Sequence, residues 1–194
     1  MRKELKDRFD HAYAQISNPR FLNKEAIGGE VPFYICSYPP EQETDAQRLI
    51  TSLNRQLNEN GVKTLCVDLL ELSLDILERR TKIERLYRLE ERKAPELFVE
   101  TVQSLLDMER HLVPALEERM MAAADFRVLL LTGIGSVYPF VRSHNLLNNM
   151  QRIAKDAPTV LFFPGTYTGT ALKLFDTLQD DNYYRAFDLA SLNL

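Results

Sequence analysis

The chain has 194 residues, enough for one sizeable core and too few for two comfortable ones. Hydrophobic residues make up 45% and charged residues 27%, a balance that excludes a disordered chain, and a net charge of −4 supplies no global drive toward nucleic acid. The longest apolar runs, Val128–Leu131 and Val160–Phe163, are far too short to span a bilayer, and the charged start Met1–Asp7 leads into no apolar signal region. A cytoplasmic location, without membrane contact, is therefore expected.

From Arg2 to Ile16, the residues Leu5, Phe9, Tyr13 and Ile16 recur at helical spacing and predict an amphipathic helix. Gly28-Gly29 breaks the chain before Val31–Cys36, an apolar run of strand type closed by Tyr38-Pro39-Pro40. Leu49, Ile50, Leu53 and Leu57 share one face of a predicted helix over Glu41–Asn60, which Gly61 stops. Val62–Asp68 reads as a second buried strand. Strand, helix, strand within so short a span is the mark of a right-handed βαβ unit.

Nearly sixty residues of helical pattern follow, more than a crossover requires. Leu69–Arg92 reads as one helix or two, Pro95 interrupts, and Glu96–Ala124 reads as a second helical region bent near Pro114. The surplus suggests a helical hairpin inserted over residues 69–124 and projecting from the sheet. Two more strands, Arg127–Thr132 and Thr159–Pro164, flank a helix over Val141–Lys155, and Tyr184–Leu189 reads as a short edge strand. Strands apolar on both faces and alternating with helices predict an α/β fold, an open and mostly parallel sheet of four or five strands flanked by helices. One such domain over residues 1–194 is expected.

Cys36 and Cys66 each sit inside a strand-like apolar run and read as small core residues. The scattered His11, His111 and His144 lack the spacing of a zinc site, and no metal or cofactor is expected.

Ligands of open parallel sheets bind beyond the carboxyl ends of the strands. After the first strand, a nucleotide site needs glycines and a lysine, but this chain has Pro39-Pro40-Glu41, which removes amide donors and adds negative charge. Gly133-Ile134-Gly135 begins a dinucleotide fingerprint that fails at Tyr138. Gly165–Thr170 is one residue short of a phosphate loop. It reads either as a turn opening onto a helix that holds Lys173, capped by threonines, or as an anion site. Asp68 reads as a helix cap. Thr132, Gly133, Gly135, Arg142, His144, Gly165 and Thr166 are thus the candidate ligand-binding residues. Arg142 and His144 would hold an anion, lie solvated or meet a protein partner. No catalytic residues are assigned.

From Glu78 to Lys93, seven basic residues stand against four acidic ones. The segment reads as a solvated helix laced by pairs such as Glu84 with Arg88, or as a contact surface. Arg85, Arg88 and Arg92 form one basic stripe, better suited to a protein partner than to DNA because glutamates are interspersed.

Three runs are distinctive: Leu130–His144, Phe162–Tyr167 and Asp180–Arg185. Together they resemble the BrxB family, the small B proteins of the bacterial BREX phage-exclusion systems, over essentially the whole chain. The resemblance implies a role in defence beside a large ATPase, a methyltransferase and an alkaline-phosphatase-like protein. The implied function is a non-catalytic adaptor contacting that phosphatase-like partner, with nucleic acid met only within the complex. It also agrees with a topology like that of P-loop NTPases without their phosphate grip. A degenerate nucleotide- or phosphate-binding module and a DNA-contacting subunit are the alternatives.

Overall fold

Each central strand alternates its side chains between two apolar layers, so the sheet is covered on both faces. A computed structural model describes residues 2–25, 32–123, 125–180 and 186–194. The Gly28-Gly29 break, Val31, Ala124 and residues 181–185 of the third distinctive run lie outside these. Five strands, β1 (Phe33–Tyr38), β2 (Thr64–Asp68), β3 (Val128–Thr132), β4 (Thr159–Tyr167) and β7 (Phe187–Asp188), line up in the order β2-β3-β4-β1-β7. Every pairing in that row is parallel.

On one face Tyr34, Cys36, Leu130, Val160 and Phe162 meet α1 (Arg2–Ile16), α2 (Pro19–Leu22) and α3 (Glu43–Glu59). Phe9 of α1 stacks on Phe162, with ring centroids 5.8 Å apart. Helix α1 buries Leu5, Phe9, Ala12 and Ile16 along one stripe, as its spacing requires. Full burial of each large side chain contributes about 2 kcal/mol. On the other face Phe33, Ile35, Leu129, Leu131, Leu161 and Phe163 meet α4 (Leu69–Arg80), α7 (Val113–Ala122) and α8 (Ser143–Ile153).

The predicted stretch Leu69–Arg92 is two helices, α4 and α5 (Ile83–Arg92), parted at Thr81-Lys82. Pro95 opens α6 (Pro95–Leu105) at a position where a missing amide costs nothing. The bend expected near Pro114 falls earlier, at Leu106-Asp107, where Asp107 caps a π-helical turn, Met108–Leu112, that runs directly into α7. Pro114 sits in the first turn of α7. Helix α4 and the 108–122 segment press into the sheet-facing cluster, whereas α5 and α6 bury one residue each, Leu86 and Val102.

Two further expectations are corrected. Gly165–Thr170 does not open onto a helix: β4 continues to Tyr167 and returns as an antiparallel hairpin, β5 (Leu172–Leu174) and β6 (Leu178–Asp180), so Lys173 lies on a strand. Cys36 is buried, but Cys66 is exposed because β2 is an edge strand.

Candidate functional site

Parallel pairing brings the carboxyl ends of β1 to β4 to one edge, with Tyr38 beside Pro164 and Asp68 beside Thr132. After β1, Pro40–Gln42 forms a short 3-10 turn, and the Tyr38 hydroxyl donates to Glu43 Oε2 at 2.8 Å. An acidic side chain therefore occupies the ground a phosphate grip would need.

After β2, Asp68 caps α4. Its Oδ1 accepts from the amides of Leu70 at 2.8 Å and Glu71 at 3.1 Å, and its Oδ2 accepts from Thr132 Oγ1 at 2.8 Å. Gly133 takes a φ of +76°, and a Cβ there would stand 2.8 Å from Asp68 Oδ1. Gly135 admits the rings of Phe175 and Pro164, each 2.9 Å from where its Cβ would be. Gly165, with φ +143°, lets the Lys173 carbonyl approach to within 2.1 Å of the Cβ position, and Thr166 Oγ1 donates to Asp176 at 2.7 Å. The small and hydroxylated candidates thus serve the protein's own backbone and caps. Of the seven, Arg142 and His144 line an open space among the described residues.

That space is a cleft of about 300 Å³ between the N-terminus of α8 and the β5–β6 hairpin. Arg142, Ser143 and His144 form its polar wall, while Phe163, Leu172 and Leu174 form its apolar wall. Tyr138, Thr177 and Gln179 close its rim. Ser143, Thr177 and Gln179 went unseen in the sequence because the hairpin that supplies two of them was read as a helix.

Arg85, Arg88 and Arg92 are exposed on the outer side of α5, opposite the buried Leu86. The expected pair between Glu84 and Arg88 does not form: neither takes an ion pair among the described residues. Beside the stripe runs an apolar groove of about 180 Å³ between α4, α5, α6 and the loop after β3. Leu77, Leu86, Val102 and Phe140 line it, and Leu70, Leu74 and Tyr87 at its rim are 39%, 44% and 62% exposed. Leu70 and Leu74 are a second apolar stripe, additional to the buried one on α4 (Leu69, Leu72 and Ile76), and that excess was the sequence signal for the groove.

Among the described residues no helix is long and apolar enough to cross a membrane. Fold and surface together define an α/β scaffold whose phosphate-grip position is filled from within and whose open features include a cleft beside Arg142 and an apolar groove. The BREX protein BrxB family model matches residues 65–189, and the chain belongs to the BrxB family. It is 31% identical over 191 residues to the BREX protein BrxB of Bacillus cereus (strain H3081.97), covering 96% of this chain and 98% of that one. It is 30% identical over 185 residues to the BREX protein BrxB of Escherichia coli O9:H4 (strain HS), covering 95% and 91%. No solved structure matches it. Membership places the chain among the proteins of BREX phage defence.

Proposed function

We propose that this protein is a non-catalytic adaptor of a cytoplasmic BREX assembly, holding the alkaline-phosphatase-like component through the α4–α5–α6 face. The observation that carries this reading is the groove rimmed by Leu70, Leu74 and Tyr87, apolar surface that a chain gains by covering. Tyr87 is the natural anchor, since large aromatic side chains dominate interface energetics. Arg85, Arg88 and Arg92 stand one helix face away, where they favour an acidic approach and speed encounter. Further support is negative: Asp68, the strand-end acid best placed for chemistry, has both oxygens taken by α4 and Thr132.

The test is co-purification from cells carrying the complete defence cluster, with the phosphatase-like protein tagged. Wild type is recovered with it. Leu74→Glu combined with Tyr87→Glu loses at least about tenfold in recovery at unchanged melting temperature, the scale of a disrupted hot spot. Arg85, Arg88 and Arg92 changed together to Glu slow association and weaken its salt dependence. A wild-type chain that purifies alone from such cells refutes the adaptor role.

A further inference from the structure

The groove between α4, α5 and α6 differs from an ordinary apolar patch in the charge set into it. Among the described residues its lining holds no basic side chain and one acidic one, Glu90. Glu90 lies three residues after Tyr87 and four after Leu86, so the helix turns it into the groove beside them. The acid continues along the lips. Glu84 and Glu91, three before and four after Tyr87, share its side of α5, and Glu78 extends the line of Leu70 and Leu74 on α4. All four glutamates are exposed and take no ion pair among the described residues. The basic residues that end α4 are engaged elsewhere: Arg79 pairs with Glu118 at 3.3 Å, and Arg80 meets His111 Nδ1 at 3.2 Å. Arg85, Arg88 and Arg92 stand on the outer side of α5 and line none of the groove. An apolar trough with unpaired carboxylates in its wall and along both lips is complementary to apolar side chains flanked by positive charge.

We infer that this groove seats a basic amphipathic helix of the partner. Apolar residues spaced three and four apart on that helix enter between Leu74, Tyr87 and Phe140, and the lysines or arginines beside them meet Glu90, Glu84 and Glu78. A helix is favoured over an extended strand because the walls are helices and the loop after β3, which offer no open row of ladder donors and acceptors. Recognition then comes through side chains, and a helix presents them in one stripe. A groove of about 180 Å³ admits anchoring side chains rather than a whole domain surface. Such an occupant rests on the α4–α5–α6 face being the docking face of the adaptor, and specifies the chemistry of what lies there. Arg85, Arg88 and Arg92 are set off from the groove by the width of a helix, about 10 Å, beyond the roughly 8 Å over which exposed charges act at physiological salt. They act on approach, and the glutamates act on the seated segment.

The probes are three synthetic peptides of about fifteen residues, long enough to form a helix: an amphipathic leucine–lysine helix, its leucine–glutamate twin, and a scrambled leucine–lysine peptide of the same composition. Each is titrated into the isotope-labelled chain and read by amide shifts. The leucine–lysine helix binds at sub-millimolar concentration and moves the amides of Leu74, Tyr87 and Glu90, while the twin and the scramble bind at least about tenfold more weakly. Glu90→Gln weakens the leucine–lysine helix by about three- to tenfold at unchanged melting temperature, because the carboxylate pairs with nothing among the described residues. Glu84→Lys, Glu90→Lys and Glu91→Lys combined reverse the preference, so that the leucine–glutamate twin becomes the tighter ligand. A twin or scramble that binds wild type as well as the leucine–lysine helix overturns the proposal, and so does a Glu90→Gln chain of wild-type affinity. Pull-down with the tagged phosphatase-like component separates this proposal from the adaptor reading. Recovery of the chain while the peptides show no charge preference refutes the basic helix alone; peptides that bind as expected while the chain purifies alone refute the named partner alone.

Discussion

Replacing Asp68 by alanine tests whether this strand-end acid is structural. The substitution removes the acceptor of the Leu70 and Glu71 amides, a cap that contributes about 1 kcal/mol. It also strands the hydroxyl of Thr132, a residue only 3% exposed, at a further cost of about 1–2 kcal/mol. The two losses share one side chain, so their sum of about 2–3 kcal/mol is an upper guide. Asp68→Asn keeps one carbonyl oxygen for the cap and offers its amide to the Thr132 oxygen, and costs less than about 1 kcal/mol. Urea unfolding followed by circular dichroism reads both: the midpoint falls with unchanged slope, and melting drops by about 5–10 °C for the alanine variant. Adding Thr132→Val to the alanine variant recovers part of the loss, because the stranded hydroxyl is gone. An alanine variant within about 0.5 kcal/mol of wild type would refute the capping account. A folded Asp68→Asn protein that no longer supports phage defence would refute the structural assignment and restore a chemical one.

Gly165→Ala is expected to destabilise by more than about 3 kcal/mol, since its Cβ would stand 2.1 Å from the Lys173 carbonyl; limited proteolysis then cuts within residues 165–180. Burial pushes the Tyr34 hydroxyl from 10.0 up to about 12 and the Cys36 thiol from 9.0 up to about 12. Both hold their protons more tightly when folded, so the stability they lend is full below pH 9 and is lost as pH rises through 12; urea midpoints from pH 8 to 11 should fall, and a flat profile would contradict this. Tyr34→Phe flattens part of that fall and holds or raises stability at pH 7 by up to about 1 kcal/mol, because the buried hydroxyl finds no partner among the described residues. In the native protein iodoacetamide labels Cys66 and spares Cys36; desolvation, with Asp68 and Glu71 adding to it, pushes Cys66 up to about 11, so labelling quickens with pH.

Much of this protein is local in origin. The helix over Arg2–Ile16 is set by apolar residues three and four apart, and the first four strands by short runs apolar on both faces, which suit a parallel sheet covered twice. The lack of a phosphate grip after β1 was equally legible, because Pro39 and Pro40 have no amides to donate. The β5–β6 hairpin was not. Its turn places Phe175 and Asp176 at φ +54° and +57° without a glycine, a backbone that local preference disfavours. Phe175 instead packs over Gly135, 2.9 Å from its missing Cβ, and meets the edge of Tyr138, contacts made forty residues back along the chain. Strand order likewise decided that Cys66 faces solvent, since an apolar run cannot tell whether its strand lies at an edge. Residue types along the chain set which segments are apolar and how they repeat. The cleft joining Arg142 and Ser143 to the hairpin, and the groove between α4 and α6, arise only when segments distant in sequence pack together.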